Sequence, residues 1–237
     1  MPAPIEILER TRTDLGELVL RTRQDLRLQR RVTEVLLNDE FLMSDAFTAG
    51  EIALTELGLA SLAGPELSVV VGGLGLGYTA ATAQADDRVG EVLVIEALPE
   101  VIRWHEQGLV EDADVRGCRL HEANFFAVAA GSEGFDPDVP GRVFDAILLD
   151  IDHSPRLTLA EDNAALYTVE GLRAMNRFLA PQGVFGLWSD EAPDEDFLPI
   201  LEAVYVSVAA EVVEFPNPYT GGNSANTVYV CVGQREG

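Results

Sequence analysis

Val69-Val70-Val71-Gly72-Gly73-Leu74-Gly75-Leu76-Gly77-Tyr78-Thr79 is the stretch whose reading decides the fold. A β-branched run opens into a glycine cluster, and a helix-compatible segment follows from about Tyr78. That order predicts a strand, a tight turn and a helix N-terminus. Glycines there let the backbone approach a ligand, and the first N–H groups of the helix face it. A dinucleotide fingerprint would place a glycine three residues after Gly75, where this chain has Tyr78. The spacing therefore argues against NAD and for another nucleoside-containing cofactor.

Outward from this turn, strands and helices alternate. Strands are expected at Leu67–Val71, Val92–Ile95, Cys118–His121, Val143–Leu149 and Val184–Trp188. Helices are expected from Tyr78, over Pro99–Gln107, Asn124–Ala130 and Asn163–Leu179, and over Asp194–Val206. Continuous apolar strands such as Ala146-Ile147-Leu148-Leu149 predict a mostly parallel sheet buried on both faces. Glu211–Phe215 and Thr227–Val232 lack an intervening helix and read as a closing antiparallel hairpin, which makes a seven-stranded sheet. Upstream, Phe47–Leu62 reads as a helix capped by Ser44-Asp45. Glu17–Arg23 and Val32–Leu37 read as strands, with Asn38-Asp39 as the turn after the second and Phe41-Leu42-Met43 as an extension. The expected organisation is a β appendage over 1–44 and an α/β domain over 45–237.

Composition limits the function. The net charge is −24, and residues 32–237 carry 35 acids against nine arginines. Such a body repels nucleic-acid phosphates and anionic membrane surfaces and attracts cations. No apolar run is long enough to span a bilayer, and Met1-Pro2-Ala3-Pro4 does not begin a secretion signal. Cys118 and Cys231 lie in strand-like segments and read as buried thiols of a cytoplasmic protein. The chain contains no lysine, which excludes Schiff-base and lysine-base chemistry.

The ligand of an open α/β sheet lies across the carboxyl ends of the strands. The first strand end supplies Gly72, Gly73, Gly75 and Gly77; the second supplies Glu96, an acid suited to both ribose hydroxyls. At the third, Asn124 is expected to accept from an adenine amino group, with Glu122 as the competing register and Phe125 backing the ring. At the fourth, Asp150 and Asp152 are expected to share a face where substrate meets cofactor, with His153 beside them. Either aspartate there can hold an ammonium group or accept a proton. No separate ligand cluster accompanies them, so no metal is expected. Trp188-Ser189-Asp190-Glu191 either lines the pocket or ends the fifth strand, and His105 and His121 read as structural.

Together these segments resemble the spermidine synthase branch of the class I methyltransferase-like fold. Asp45-Ala46-Phe47-Thr48-Ala49-Gly50-Glu51 keeps the Asp, Phe and final Glu of that family's Asp-Glu-Phe-x-Tyr-His-Glu segment. Gly72, Gly73 and Gly77 match its glycine turn, Glu96 its ribose acid and Asp150 the first aspartate of its Asp-Ser-Ser-Asp-Pro loop. Leu166-Tyr167, Pro181-Gln182-Gly183 and the hairpin turn containing Pro218-Tyr219 match as well. The resemblance implies a Rossmann-like class I fold, S-adenosylmethionine or its decarboxylated form as cofactor, and a homodimer. It also implies that Asp150 acts towards the attacking amine; Asp152 is expected beside it in catalysis, and Glu51, Asp152, His153, Asp190 and Tyr219 are expected on the acceptor side.

The departures concern the acceptor. Ala49 and Gly50 replace the family's Tyr-His pair, Gly75 its turn aspartate, and Leu98 the aspartate after its ribose acid; the Asp150–Pro155 loop is one residue longer. The expected activity is therefore methyl transfer to a small, amine-bearing acceptor. Aminopropyl transfer and a non-catalytic nucleoside-binding module are the alternatives.

Overall fold

Both faces of the central strand are covered, because its alternate residues enter two different cores. The computed structural model describes residues 5–13 and 15–235; Met1–Pro4, read above for a targeting signal, lie outside them. The chain opens with an antiparallel sheet in the order β1 (Ile5–Thr13), β2 (Gly16–Asp25), β3 (Arg30–Leu37) and β4 (Glu40–Ser44). Asn38 and Asp39 both take positive φ at the β3–β4 turn, as a tight hairpin requires. Four strands stand where two and an extension were expected. β1 escaped notice because its residues alternate between polar and apolar while remaining largely exposed.

Helix α1 (Ala49–Ala60) follows, then β5 (Leu67–Gly72), α2 (Tyr78–Ala85), β6 (Val89–Glu96), α3 (Pro99–Glu106), β7 (Arg119–Glu122), α4 (Phe125–Ala130) and β8 (Phe144–Leu149). The chain closes with α5 (Val169–Met175), β9 (Leu179–Ser189), α6 (Leu198–Glu202), β10 (Tyr205–Asn217) and β11 (Gly222–Gln234). The seven strands lie in the order β10-β11-β9-β8-β5-β6-β7. Only β11 runs against its neighbours. The connection from β5 goes to β6 on one side, while β8 flanks it on the other. The crevice at this switch point therefore opens at the carboxyl ends of β5, β6 and β8.

Val70, Leu93, Ile95, Ile147 and Leu149 pack with Phe125, Phe185 and Leu172 on one face. Val69, Val71, Val92, Val94 and Leu148 pack with Leu54 and Trp104 on the other. Leu18, Leu20 and Val35 of the N-terminal sheet belong to this second core. Each fully buried aliphatic side chain contributes about 1.5–3 kcal/mol, so the appendage is tied into the α/β body.

Three expectations about helices need correction. Ser44 and Asp45 do not cap α1; the Asp45 carboxylate instead accepts from the Thr33 N–H and Arg30. The helix expected over Asn163–Leu179 breaks into a 3₁₀ turn (Glu161–Tyr167) and α5. Extended Thr168 separates them, and its side chain accepts from the Gly171 N–H. The helix expected over Asp194–Val206 shrinks to α6. Asp194 holds the Asp196 and Phe197 N–H groups, and Tyr205-Val206 leave for β10.

Candidate active site

The glycine turn is shaped by its carbonyl and amide partners. Gly73, Gly75 and Gly77 all take positive φ, which glycine adopts without strain. The Gly73 N–H donates to the Ile95 carbonyl at 2.9 Å, and the Gly77 N–H donates to the Leu74 carbonyl at 2.8 Å. Glu96, at the end of β6, accepts from the Leu74 N–H at 2.9 Å and the Leu98 N–H at 2.8 Å. Its carboxylate thus pins the turn and still has lone pairs for a ligand. Burial pushes the Glu96 carboxyl above its ordinary value, and these backbone donors oppose that rise.

His105, read from sequence as structural, holds the other side of the turn. Its Nε2 lies 2.9 Å from the Gly75 carbonyl, a bond that requires the Nε2–H tautomer. Burial lowers its pKa, the Gly75 carbonyl opposes that fall, and its Nδ1 is buried without a partner.

A cavity of about 1110 Å³ opens beside the turn. Gly73, Gly75, Gly77, Glu96, Asn124, Phe125, Asp150, Glu51, His153 and Asp190 all line it, as does Glu122. Gly72, the end of β5, lies just behind, and a Cβ there would meet the Phe125 ring at 2.6 Å. Phe125 is held by Phe135, stacked at 5.1 Å between centroids. The Asn124 Oδ1 accepts from the Ala127 N–H at 3.0 Å, making Asn124 the N-cap of α4. Its oxygen is thus already committed to the helix, which leaves the amide N–H₂ as the unbonded part of that side chain.

Asp150 and Asp152 do not share a face. Strand geometry ends at Leu149, and the chain turns out of the sheet between the two acids. Asp150 points to α2, where the Thr79 hydroxyl donates to it at 2.7 Å. Asp152 is 1% exposed and does not line the cavity. It accepts from the Leu159 N–H at 2.7 Å, from Asn163 at 2.9 Å and from the Tyr167 hydroxyl at 2.7 Å. The expected catalytic and acceptor-binding role of Asp152 is therefore replaced by that of a buried anchor for the loop after β8.

Tyr219 also falls outside the cavity. Its hydroxyl donates to Asp25, and Arg27 donates to its carbonyl at 2.8 Å and lies over its ring. The residue clasps the β10–β11 turn to the β2–β3 turn. Phe47, whose ring meets Phe215 at 5.2 Å and Tyr219 at 5.8 Å, lines the cavity beneath this clasp.

Three carboxyl groups from three elements converge: Glu51 in the first turn of α1, Asp150 after β8 and Asp190 after β9. Burial raises the Glu51 pKa, and the charges of Asp150 and Asp190 raise it further. Burial also raises Asp150, while the Thr79 hydroxyl opposes the rise. Asp190 is fixed by its N–H to the His153 carbonyl at 2.7 Å and by Asn226 at 3.3 Å. The sequence reading missed Thr79, Asn226 and Met43. Thr79 alone carried a signal, as a hydroxyl in the first turn after the glycines. Among the described residues, no group of three or more His, Cys, Asp or Glu side chains is arranged to hold a metal.

The strand order and the position of this cavity define a class I methyltransferase-like fold. Within that class of fold, its arrangement is similar to that of spermidine synthases of known structure. It superposes on spermidine synthase from Thermotoga maritima over 96% of this chain and 72% of that one, with TM-score 0.68 and 18% identity. A spermidine synthase in complex with the transition state analogue AdoDATO matches over 95% and 73%, with TM-score 0.70 and 18% identity. Human methyltransferase-like protein 13 in complex with SAH matches over 77% and 78%, with TM-score 0.53 and 21% identity. Coverage of 96% takes in most of the N-terminal sheet, which 77% does not require. No protein-family model and no curated protein matches the sequence.

Proposed function

We propose that this chain is a transferase that uses an S-adenosylmethionine-type donor and delivers a methyl group to the nitrogen of a small cationic acceptor. One observation carries the reading. The glycine turn with Glu96 and the Glu51–Asp150–Asp190 group face a single cavity of about 1110 Å³, a volume above the usual range for one small ligand. Two molecules can meet there.

The residues fit an adenosyl sulfonium. Gly73 comes so close to the Asp150 carbonyl that a Cβ would overlap it, so a backbone-walled cradle is already formed. Glu96 would hold the ribose hydroxyls, and Phe125 with Ala123 would back the base. When bound, such a group supplies an electrophilic carbon on a positively charged sulfur that departs as a neutral thioether. The chain's own contribution is chiefly positioning. Asp150, steadied by Thr79, would pair with positive charge beside the turn. Asp190, steadied by Asn226, would pair with the acceptor, and Phe47 and Phe215 would exclude water.

The choice of methyl rests on what replaces the family's amine grip. Gly75 stands where an acid is expected, and a Cβ there would lie 3.1 Å from the Met43 sulfur. At Gly50 the corresponding space is taken by Trp188 and Asn226. Aminopropyl transfer is the second reading, favoured by the N-terminal sheet shared with the spermidine synthases. Calorimetry with S-adenosylmethionine, its decarboxylated form and methylthioadenosine decides between them. Tighter binding of S-adenosylmethionine is expected. Preference for the decarboxylated form supports aminopropyl transfer, and no binding of any of the three refutes the proposal.

A further inference from the structure

The three cavity carboxyl groups are not equivalent. Asp150 accepts from the Thr79 hydroxyl, and Asp190 accepts from the Asn226 amide. Neither partner carries charge, so both anchor a carboxyl group without supplying it a cation. Among the described residues, the Glu51 side chain meets only its own backbone N–H. It sits on the first turn of α1, in the cavity wall, facing two carboxylates. Tyr78, from the start of α2, also lines the cavity, and its phenol feels the charges of Asp45, Asp112, Arg30 and Glu51. His153 shares the cavity. A carboxyl group beside two anchored carboxyl groups, with no competing side-chain donor, is placed to take a proton from what the cavity binds.

Resting on the transferase reading above, we propose that Glu51 is the proton acceptor of the site, taking the proton that the acceptor nitrogen must shed. A small amine enters as an ammonium ion. One N–H bond breaks and its proton passes to Glu51, and the freed lone pair forms the N–C bond as the C–S bond breaks. The sulfur keeps that electron pair and becomes a neutral thioether. Asp150 and Asp190 take no proton in this step and face the two cations across the cavity. The raised Glu51 pKa matches this task, since a base whose pKa lies near the working pH is the most effective one.

The test has two arms, both on the full chain. Carbon-13 NMR of the glutamate carboxyl groups across roughly pH 4–10 should show a resonance titrating well above ordinary glutamates and lost in Glu51→Gln. Adding methylthioadenosine with 1,4-diaminobutane as the cationic probe should lower its midpoint. In single-turnover methyl transfer from S-adenosylmethionine to 1,4-diaminobutane, the wild-type rate should rise with pH to a plateau. Glu51→Gln should lose that rise and about 100-fold in rate, while Glu51→Asp restores the rise. The affinity for methylthioadenosine should be unchanged in both variants. If the titration persists in Glu51→Gln, or if the pH rise survives there and disappears in Asp150→Asn, the assignment is wrong. Where 1,4-diaminobutane is not methylated, the NMR arm decides alone. Failure of the wild type to bind any adenosyl compound would instead overturn the transferase reading.

Discussion

The two ends of the cavity are built from different material. The glycine-turn end is mostly backbone: three positive-φ glycines, amides bonded to Glu96 and a carbonyl held by His105. The proposed acceptor end is side chain, with Glu51, Asp150, Asp190, Phe47, Trp188 and Asn226 coming from separate elements. A backbone cradle is fixed by the fold and tolerates little change. A side-chain pocket is remade by single substitutions, so one architecture can keep its donor and exchange its acceptor. This difference fits the sequence resemblance, in which Gly72, Gly73 and Gly77 match the spermidine synthase turn while Ala49 and Gly50 do not match its Tyr-His pair.

The sharpest way to break the contrast is at Gly73. Its φ is 92°, and a Cβ would overlap the Asp150 carbonyl. Gly73→Ala should destabilise the protein by about 3 kcal/mol or more and abolish methylthioadenosine binding, as read by chemical denaturation and calorimetry. Stable, ligand-competent Gly73→Ala would show that the turn is not the rigid cradle described.

Asp150 and Asp152 sharpen it next, since two residues apart they serve opposite purposes. Asp152→Ala leaves the Tyr167 hydroxyl, the Asn163 amide and the Leu159 N–H without their acceptor. The expected loss is about 2–4 kcal/mol in denaturant unfolding, with methylthioadenosine affinity unchanged in the folded fraction. Asp150→Asn should show the reverse, with little loss of stability and weakened binding of positively charged ligands. Similar behaviour of the two variants would restore the shared face expected from their spacing.

That spacing marks where the sequence stopped being legible. The strands around Val69–Val71 and Ala146–Leu149 were readable because burial on both faces leaves an uninterrupted apolar run. The turn was readable because positive φ selects glycine. The loop after β8 was not, because two-residue alternation holds only while the chain stays extended, and it leaves the sheet at Asp150. Tyr219 was misplaced for a related reason: its partner Asp25 lies 194 residues away, a pairing that no local pattern announces. The carboxylate trio had the same difficulty. Glu51 and Asp190 were each identified singly, but only the fold brings them beside Asp150.

The smallest expected effect concerns that trio in the empty protein. Burial and its two acidic neighbours hold the Glu51 pKa above the ordinary glutamate value of 4.5. Over the pH range above that value the native state keeps a proton that the unfolded chain has released. By linkage, the stability contributed by this group is fully present below the ordinary value and is lost as pH rises through the folded one. Asp150, also raised, acts with the same sign. Glu51→Gln removes the titration and leaves a neutral side chain in its place. Its melting temperature should match the wild type near about pH 5 and exceed it by roughly 3–8 °C near about pH 9. A bound cation should erase that difference, because positive charge in the cavity stabilises the ionised carboxylates of the wild type and has one fewer partner in the variant. If Glu51→Gln instead lowers the melting temperature at alkaline pH, Glu51 is paired with a positive group, and the acceptor end is neutralised by the protein itself rather than by what it binds.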